Sequence, residues 1–198
     1  MDRHEKKYSN TDKKIHRAFL RLLARREFSE ISVTAVCKMA GVNRSTFYSH
    51  YANTHELAER IQSSIIEIFI DEMLKKGVLT PKDLHGRQRA ITAEEQKATI
   101  TEFLEFIKKY RVIYAVIIKN RQYFSFEQTK REFKSEVFFP RFETQNFLDD
   151  TAKEYLFEFL FSGAYAVVDK WVEEGCKTDA AEIGEILFGI FKRNFVIR

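Results

Sequence analysis

Five residues on one short stretch, GVNRSTFYSHY (residues 41–51), supply a guanidinium, two short hydroxyls, a phenol and an imidazole: Arg44, Ser45, Thr46, Tyr48 and His50. These groups suit the surface of double-stranded DNA. Arginine forks onto two acceptors of a guanine edge, threonine offers its methyl to thymine, and tyrosine and histidine anchor phosphates. On a helix turning about 100° per residue, Phe47 and Tyr51 fall together on the inner side. Ser45, Thr46 and Ser49 then point outward, with Arg44, Tyr48 and His50 on the flanks. A merely solvated polar face has the same composition, so the surroundings must decide between the two.

Those surroundings predict two short helices joined by a sharp turn. Ser32 is placed to cap a helix carrying Val33, Val36, Cys37 and Ala40, and Gly41 stands just past its end, where a left-handed backbone is needed. Asn43 is a natural cap for the next helix, and Val42 before it can pack on Phe47 as a hydrophobic staple. The result is a helix-turn-helix. Ahead of it, Ile15, Ala18, Phe19, Leu22 and Leu23 recur as one face of a helix expected from Thr11 to Arg26, with Asn10 or Thr11 at its amino end and basic side chains opposite. Residues 1–53 carry eleven Lys and Arg against five Asp and Glu, a net of +6, whereas residues 54–198 carry 22 against 24, a net of −2. A basic amino-terminal module facing a polyanion, joined to a near-neutral body, fits this asymmetry.

Residues 11–57, above all SVTAVCKMAGVNRSTFYSHYANTHEL, resemble the DNA-binding domain of the tetracycline-repressor-like (TetR/AcrR) transcriptional regulators. The likeness is carried by Ser32, Val36, Ala40-Gly41-Val42, Thr46-Phe47-Tyr48, His50-Tyr51 and Glu56-Leu57. It implies that Thr34, Arg44 and Ser45 approach base edges and that Thr46, Tyr48 and His50 grip bases or phosphates. One departure stands out. Relatives usually carry Lys at the start of the fourth helix as a phosphate donor; this chain has Thr54, with Ala52 at another frequently basic place. Losing a phosphate contact weakens binding and flattens its salt dependence, and Lys6, Lys7, Lys13, Lys14 and Arg17 are the residues that could compensate.

The rest of the chain must then do something else. Its length of 198 residues, 44% hydrophobic and 31% charged content, seven Gly and two Pro describe a soluble globular protein of long helices. The expected fold is all-α: a three-helix helix-turn-helix DNA-binding domain over residues 8–56, and a helical effector-binding and dimerisation domain over residues 57–198. A long helix is expected from Asn53 or Thr54 to about Lys76, with Leu57, Ile61, Ile65, Ile68, Phe69 and Met73 inward, followed by a loop over residues 77–96. Helical patterns resume in ITEFLEFIKKY, YRVIYAVIIKN and FEQTKREFKSEVFF. Two further helices follow: one capped near Asp149 and greasy on nearly every side, and a last one capped by Asp179.

The load of 19 Phe and eight Tyr lies mostly after residue 100. The family likeness implies a pocket for a small, apolar or aromatic effector, for which Phe103, Phe106, Tyr110, Tyr114, Tyr123, Phe161 and Tyr165 are candidate lining; the same rings serve equally well as core. One reading head covers only a few base pairs, so a homodimer on a palindromic operator is expected. Gly163, Ala164, Trp171, Ile186, Leu187 and Phe191 are candidates for its interface. Two distant cysteines without ligand spacing argue against a disulfide framework or a zinc site, and no metal or cofactor is expected. The five histidines lack HExxH spacing and no GxSxG or Gly-rich phosphate loop is present, so an enzyme is not expected. Without a signal-like or membrane-spanning run the expected location is the cytoplasm, with no membrane partner. Three readings remain open: a repressor released by its effector, an activator or coactivator of the same fold, and an interaction protein with a weakened reading head.

Overall fold

The computed structural model of the chain describes residues 3–78, 92–124, 130–131, 134 and 149–195. Its elements in order are α1 (Arg3–Leu23), α2 (Val33–Ala40), α3 (Arg44–Tyr48), α4 (Thr54–Lys75), α5 (Ala93–Lys109), α6 (Arg111–Lys119), α7 (Asp150–Glu173) and α8 (Ala180–Phe195), with 3-10 turns at Phe28–Glu30 and Arg121–Tyr123. The fold is all-α, as the helical periodicities require. The chain divides into two compact units, the first made of Met1–Ile66 with Val116–Ser125 and the second of Glu67–Ala115 with Phe126–Arg198.

The first unit is built on the apolar face of α1. Ile15, Ala18, Phe19, Leu22 and Leu23 are all buried, and they share a core with Phe28, Ile31, Val36, Cys37, Phe47, Tyr51, Leu57, Ala58, Ile61, Val116 and Phe124. Asn10 does not start α1; the helix begins at Arg3 and ends at Leu23. The residues upstream include Arg, Glu and Lys and contain neither Gly nor Pro, so nothing turns the chain out of the helix before the Asn. The cap at Ser32 is present, its Oγ accepting from the Ala35 N–H at 3.2 Å. Gly41 takes φ 68°, and the N–H groups of Gly41 and Val42 both donate to the Cys37 carbonyl. Any side chain at Gly41 would be strained by this backbone alone, since a Cβ there would meet nothing within 4 Å. At the head of α4, Asn53 Oδ1 accepts from the N–H groups of His55 and Glu56, both at 2.9 Å, while Glu56 Oε2 accepts from the Ala52 N–H at 2.6 Å. The stretch Val116–Ser125 completes this unit. Tyr123 stacks on Phe28 with ring centroids 4.1 Å apart and also meets the ring of His55.

In the second unit α5 opens on a capping box that the sequence reading placed inside a loop. Thr92 Oγ1 accepts from the Glu95 N–H, and Glu95 Oε2 accepts from the Thr92 N–H. The rest of that loop expectation, residues 79–91, lies outside the described residues, as does nearly all of FEQTKREFKSEVFF. Asp149 caps α7 through the Ala152 N–H at 2.7 Å, and Asp179 receives the Ala181 N–H at 2.9 Å. Between these two helices Trp171 is buried and its Nε1–H donates to the Thr178 carbonyl at 2.9 Å, which ties the turn to the helix before it. Helices α5 and α8 approach so closely at Gly184 that a Cβ there would stand 2.9 Å from Thr101 Oγ1. Ile68, expected inward on α4, is instead 42% exposed. Position 68 falls between Leu57 and Ile61 on a helical wheel, but the buried positions along α4, spaced by four residues, drift round the helix towards Met73, and by position 68 the covered side has turned away from that angle.

Candidate nucleic-acid interface

The candidate reading helix α3 is only five residues long, and helices this short do not persist on their own. Its one buried side chain is Phe47, which is fully enclosed. Asn43 has the extended backbone of a cap (φ −78°, ψ 156°), but its side chain makes no capping hydrogen bond, so the expected cap is one of position only. The helix stops earlier than the wheel assumed. Beyond Tyr48 the chain turns, with Ser49 Oγ donating to the Thr46 carbonyl at 2.8 Å and the His50 N–H to the Phe47 carbonyl.

Arg44, Ser45 and Tyr48 present themselves outward, and Thr46 is half-buried. The Tyr48 side chain, 50% exposed, lies beside Arg44: a guanidinium N–H donates to its hydroxyl at 3.4 Å, and the guanidinium carbon stands 5.9 Å from the ring centroid. This loose pairing restrains two flexible side chains without burying either. Thr34 on α2 is exposed as well, as are Lys13, Lys14 and Arg17 on α1; the side chains of Lys6 and Lys7 lie outside the described residues. His50 departs from expectation. It does not stand on an open flank, because its side chain is only 4% exposed and its Nδ1 lies 2.6 Å from Asp12 Oδ1. The early end of α3 is the reason: position 50 follows the turn inward instead of continuing the helical wheel.

That inward turn completes a small polar network which the sequence reading missed. The Tyr51 hydroxyl donates to Asp12 Oδ1 at 2.6 Å, and His16 Nε2 lies 2.9 Å from the same hydroxyl. The tyrosine's single proton goes to the carboxylate, so His16 must donate through Nε2–H. Burial holds the His16 imidazole below its usual pKa, against the attraction of Asp12. Asp12 is separated from His50 by 38 residues. No local spacing links the two, and the one sequence signal was an acid on an otherwise basic stretch of helix.

Cys37 sits in the same core, and burial pushes its thiol above the ordinary range while Arg44 pulls the other way. It is a core residue rather than an open thiol. Among the described residues no three His, Cys, Asp or Glu side chains come together as a metal site requires.

The second unit holds most of the aromatic candidates. Phe103 and Phe106 pack edge-on against Phe69, with centroids 5.4 and 5.2 Å away, and Phe106 also meets Tyr110 and Tyr114. Along α7, Phe157, Phe161 and Tyr165 form a row at i, i+4 and i+8. Burial raises the Tyr114 phenol, with the neighbouring Tyr165 adding to the shift. The Tyr110 hydroxyl donates to Glu72 Oε1 at 2.9 Å, and Lys109 pairs with the same oxygen and holds that carboxyl below its usual range. Tyr123 does not join this group but stacks on Phe28 in the first unit, because the chain passes into that unit within α6, at Val116. The interface candidates also separate. Trp171 and Leu187 are buried within the chain's own core, Gly163 and Ile186 are exposed, Ala164 is half-buried, and the Phe191 side chain lies outside the described residues. The all-round greasiness of α7 is not fully covered, since Tyr155 and Phe159 are 75% and 67% exposed.

Comparison with known proteins agrees with this geometry. Residues 15–61 match the family described as bacterial regulatory proteins, tetR family, and residues 94–193 match the transcriptional regulator C-terminal region of TetR type. The chain belongs to the tetR family. No curated protein matches it. Solved structures with the same fold include a fatty acid degradation regulator, FadR, from Bacillus halodurans, with 13% identity and TM-score 0.64 over 95% of this chain and 97% of that one. A TetR transcriptional regulator from Streptococcus agalactiae 2603V follows at 21% identity and TM-score 0.63, over 94% and 96%. A dihydroxyacetone kinase operon activator, DhaS, shares 16% identity at TM-score 0.52, over 93% and 95%.

As a tetR-family regulator the chain is a DNA-binding protein, and the family match spans the turn at Gly41, all of α3 and the head of α4. Thr54 stands at the first position of α4, half-buried, beside the Asn53 cap. No helix among the described residues is long and apolar enough to cross a membrane.

Proposed function

We propose that this tetR-family regulator is a cytoplasmic homodimeric repressor whose α3 helices read a palindromic operator and release it when a small apolar or aromatic effector binds the second unit. The observation that carries the reading is the outward pair Arg44 and Tyr48 on a helix seated by Phe47 and Gly41. In this assignment Arg44, Ser45 and Thr34 approach base edges, and Thr46 and Tyr48 grip bases or phosphates. His50 acts from behind the surface, through Asp12, rather than on it. The exposed Tyr155, Phe159 and Ile186, with Gly163 leaving room on α7, support the dimer face. The aromatic groups around Phe106 and Phe161 support the effector site. The fold is shared with an operon activator, so the fold alone leaves the sign of regulation to experiment.

The test is selection of duplexes by the purified protein from a random library, followed by binding of variants to the enriched sequence. Arg44→Ala is expected to relax preference at particular base pairs, with a loss of about tenfold at those positions. Tyr48→Phe is expected to weaken all sequences alike. An unchanged sequence profile for Arg44→Ala would remove it as a base reader, and absence of any enriched palindrome would remove the dimeric reader. Transcription in vitro from a promoter carrying the palindrome then decides repression or activation.

A further inference from the structure

We infer that Asp12 on α1 is a positioning residue for the reading helix, clamping its trailing end so that Arg44, Ser45 and Tyr48 are held at one rotation about the helix axis. The inference rests on α3 being the DNA reader. The apolar seat of Phe47 fixes the depth of α3 but not its rotation, because hydrophobic contact has no direction. Rotation requires directional bonds on a second element. Asp12 Oδ1 supplies them, accepting from His50 Nδ1 and from the Tyr51 hydroxyl, each at 2.6 Å, on the two residues where the chain leaves the turn after α3. His16, one helical turn along α1 from Asp12, steadies the Tyr51 hydroxyl from the other side at 2.9 Å. Its two donors are held out of water, the His50 side chain being 4% exposed and Tyr51 buried, while the Asp12 side chain keeps 28% exposure. A helix of five residues lacks the internal stiffness to hold an angle by itself, and a small rotation would carry the Arg44 fork away from a guanine edge.

The experiment compares the full-length wild type with Asp12→Leu and Asp12→Asn, which match in size and differ in whether an acceptor oxygen remains. Each is titrated against the duplex enriched by the wild type and against a scrambled duplex, and thermal unfolding is followed in parallel. Asp12→Leu is expected to lose about tenfold or more in affinity for the enriched duplex, with binding to the scrambled duplex, which depends on phosphates, nearly unchanged. Asp12→Asn is expected to restore most of the discrimination. Tyr51→Phe removes a single hydroxyl and decides the matter if the leucine variant does not fold; discrimination should fall in the same direction, by less. Discrimination within twofold of wild type for Asp12→Leu, or for Tyr51→Phe where the leucine variant does not fold, overturns the clamp. So does an equal loss on both duplexes that follows the melting temperature. A wild type that enriches no duplex would instead overturn the DNA reading itself, and the clamp with it.

Discussion

The two units bury comparable kinds of side chain but are specified in different ways. In the first, nearly every turn has its own chemical reason: a serine cap at Ser32, a left-handed glycine at Gly41, an Asn53 and Glu56 cap on α4, and a carboxylate at Asp12 joining α1 to the chain beyond α3. The second has its caps too, at Thr92, Asp149 and Asp179, but between its helices large rings meet one another in rows, and polar contacts across them sit mostly at the surface, among them the pairs Lys76–Glu102 and Lys97–Glu185. Directional bonds define one arrangement, whereas ring-on-ring contact tolerates several. A reading head needs the former, and the ligand- and subunit-binding role proposed for the second unit would benefit from the latter.

The sharpest way to break this contrast is to remove one ring from each unit. Phe47→Ala is expected to cost about 3–5 kcal/mol in denaturant unfolding, the range for a fully enclosed ring in a close-packed core. Phe161→Ala, at 9% exposure in a row proposed to line a ligand site, should cost distinctly less than Phe47→Ala. Equal costs would make the second unit an ordinary core and remove its claim to a pocket. A smaller effect compares the caps. Ser32→Ala and Thr92→Ala should each cost about 1 kcal/mol, but only the first should also weaken DNA binding, because α2 leads directly into the turn that sets α3.

The subtlest expectation concerns pH. His16 has its pKa lowered in the folded chain from 6.5, chiefly by burial, with Arg60 and His50 acting in the same direction and Asp12 opposing them. The unfolded chain therefore takes up a proton first as pH falls below that value, and stability drops between the unfolded and folded pKa values. Melting temperature should decline across this window in the wild type and decline less in His16→Gln. A steeper slope in the variant would place the titration elsewhere.

The first unit was largely legible in its sequence because its signals are local. A cap lies three residues from the group it satisfies, Gly41 lies next to the helix it ends, and Val42 and Phe47 lie within one stretch. What escaped was the bond from Asp12 to His50, 38 residues apart, and with it the inward turn of His50. In the second unit the helices were legible from periodicity, yet the roles of their rings were not. Trp171 and Tyr155 read alike as large apolar residues on one helix; the fold buries the first and exposes the second. Thr92 was missed for another reason, since the composition of the preceding residues suggested a loop strongly enough to hide a cap four letters long.

The return of Val116–Ser125 to the first unit, with Tyr123 stacked on Phe28 and His55, has a practical consequence. A fragment made by stopping the gene after α4 would contain every residue proposed to touch DNA, yet it would leave the outer face of Phe28 bare to water and lack Val116 and Phe124 from its core. No stretch of codons that stops short of Phe124 encodes the whole core of the reading head. A transplantable version would need the two segments joined by a new, short loop, or would have to carry the whole intervening chain with it.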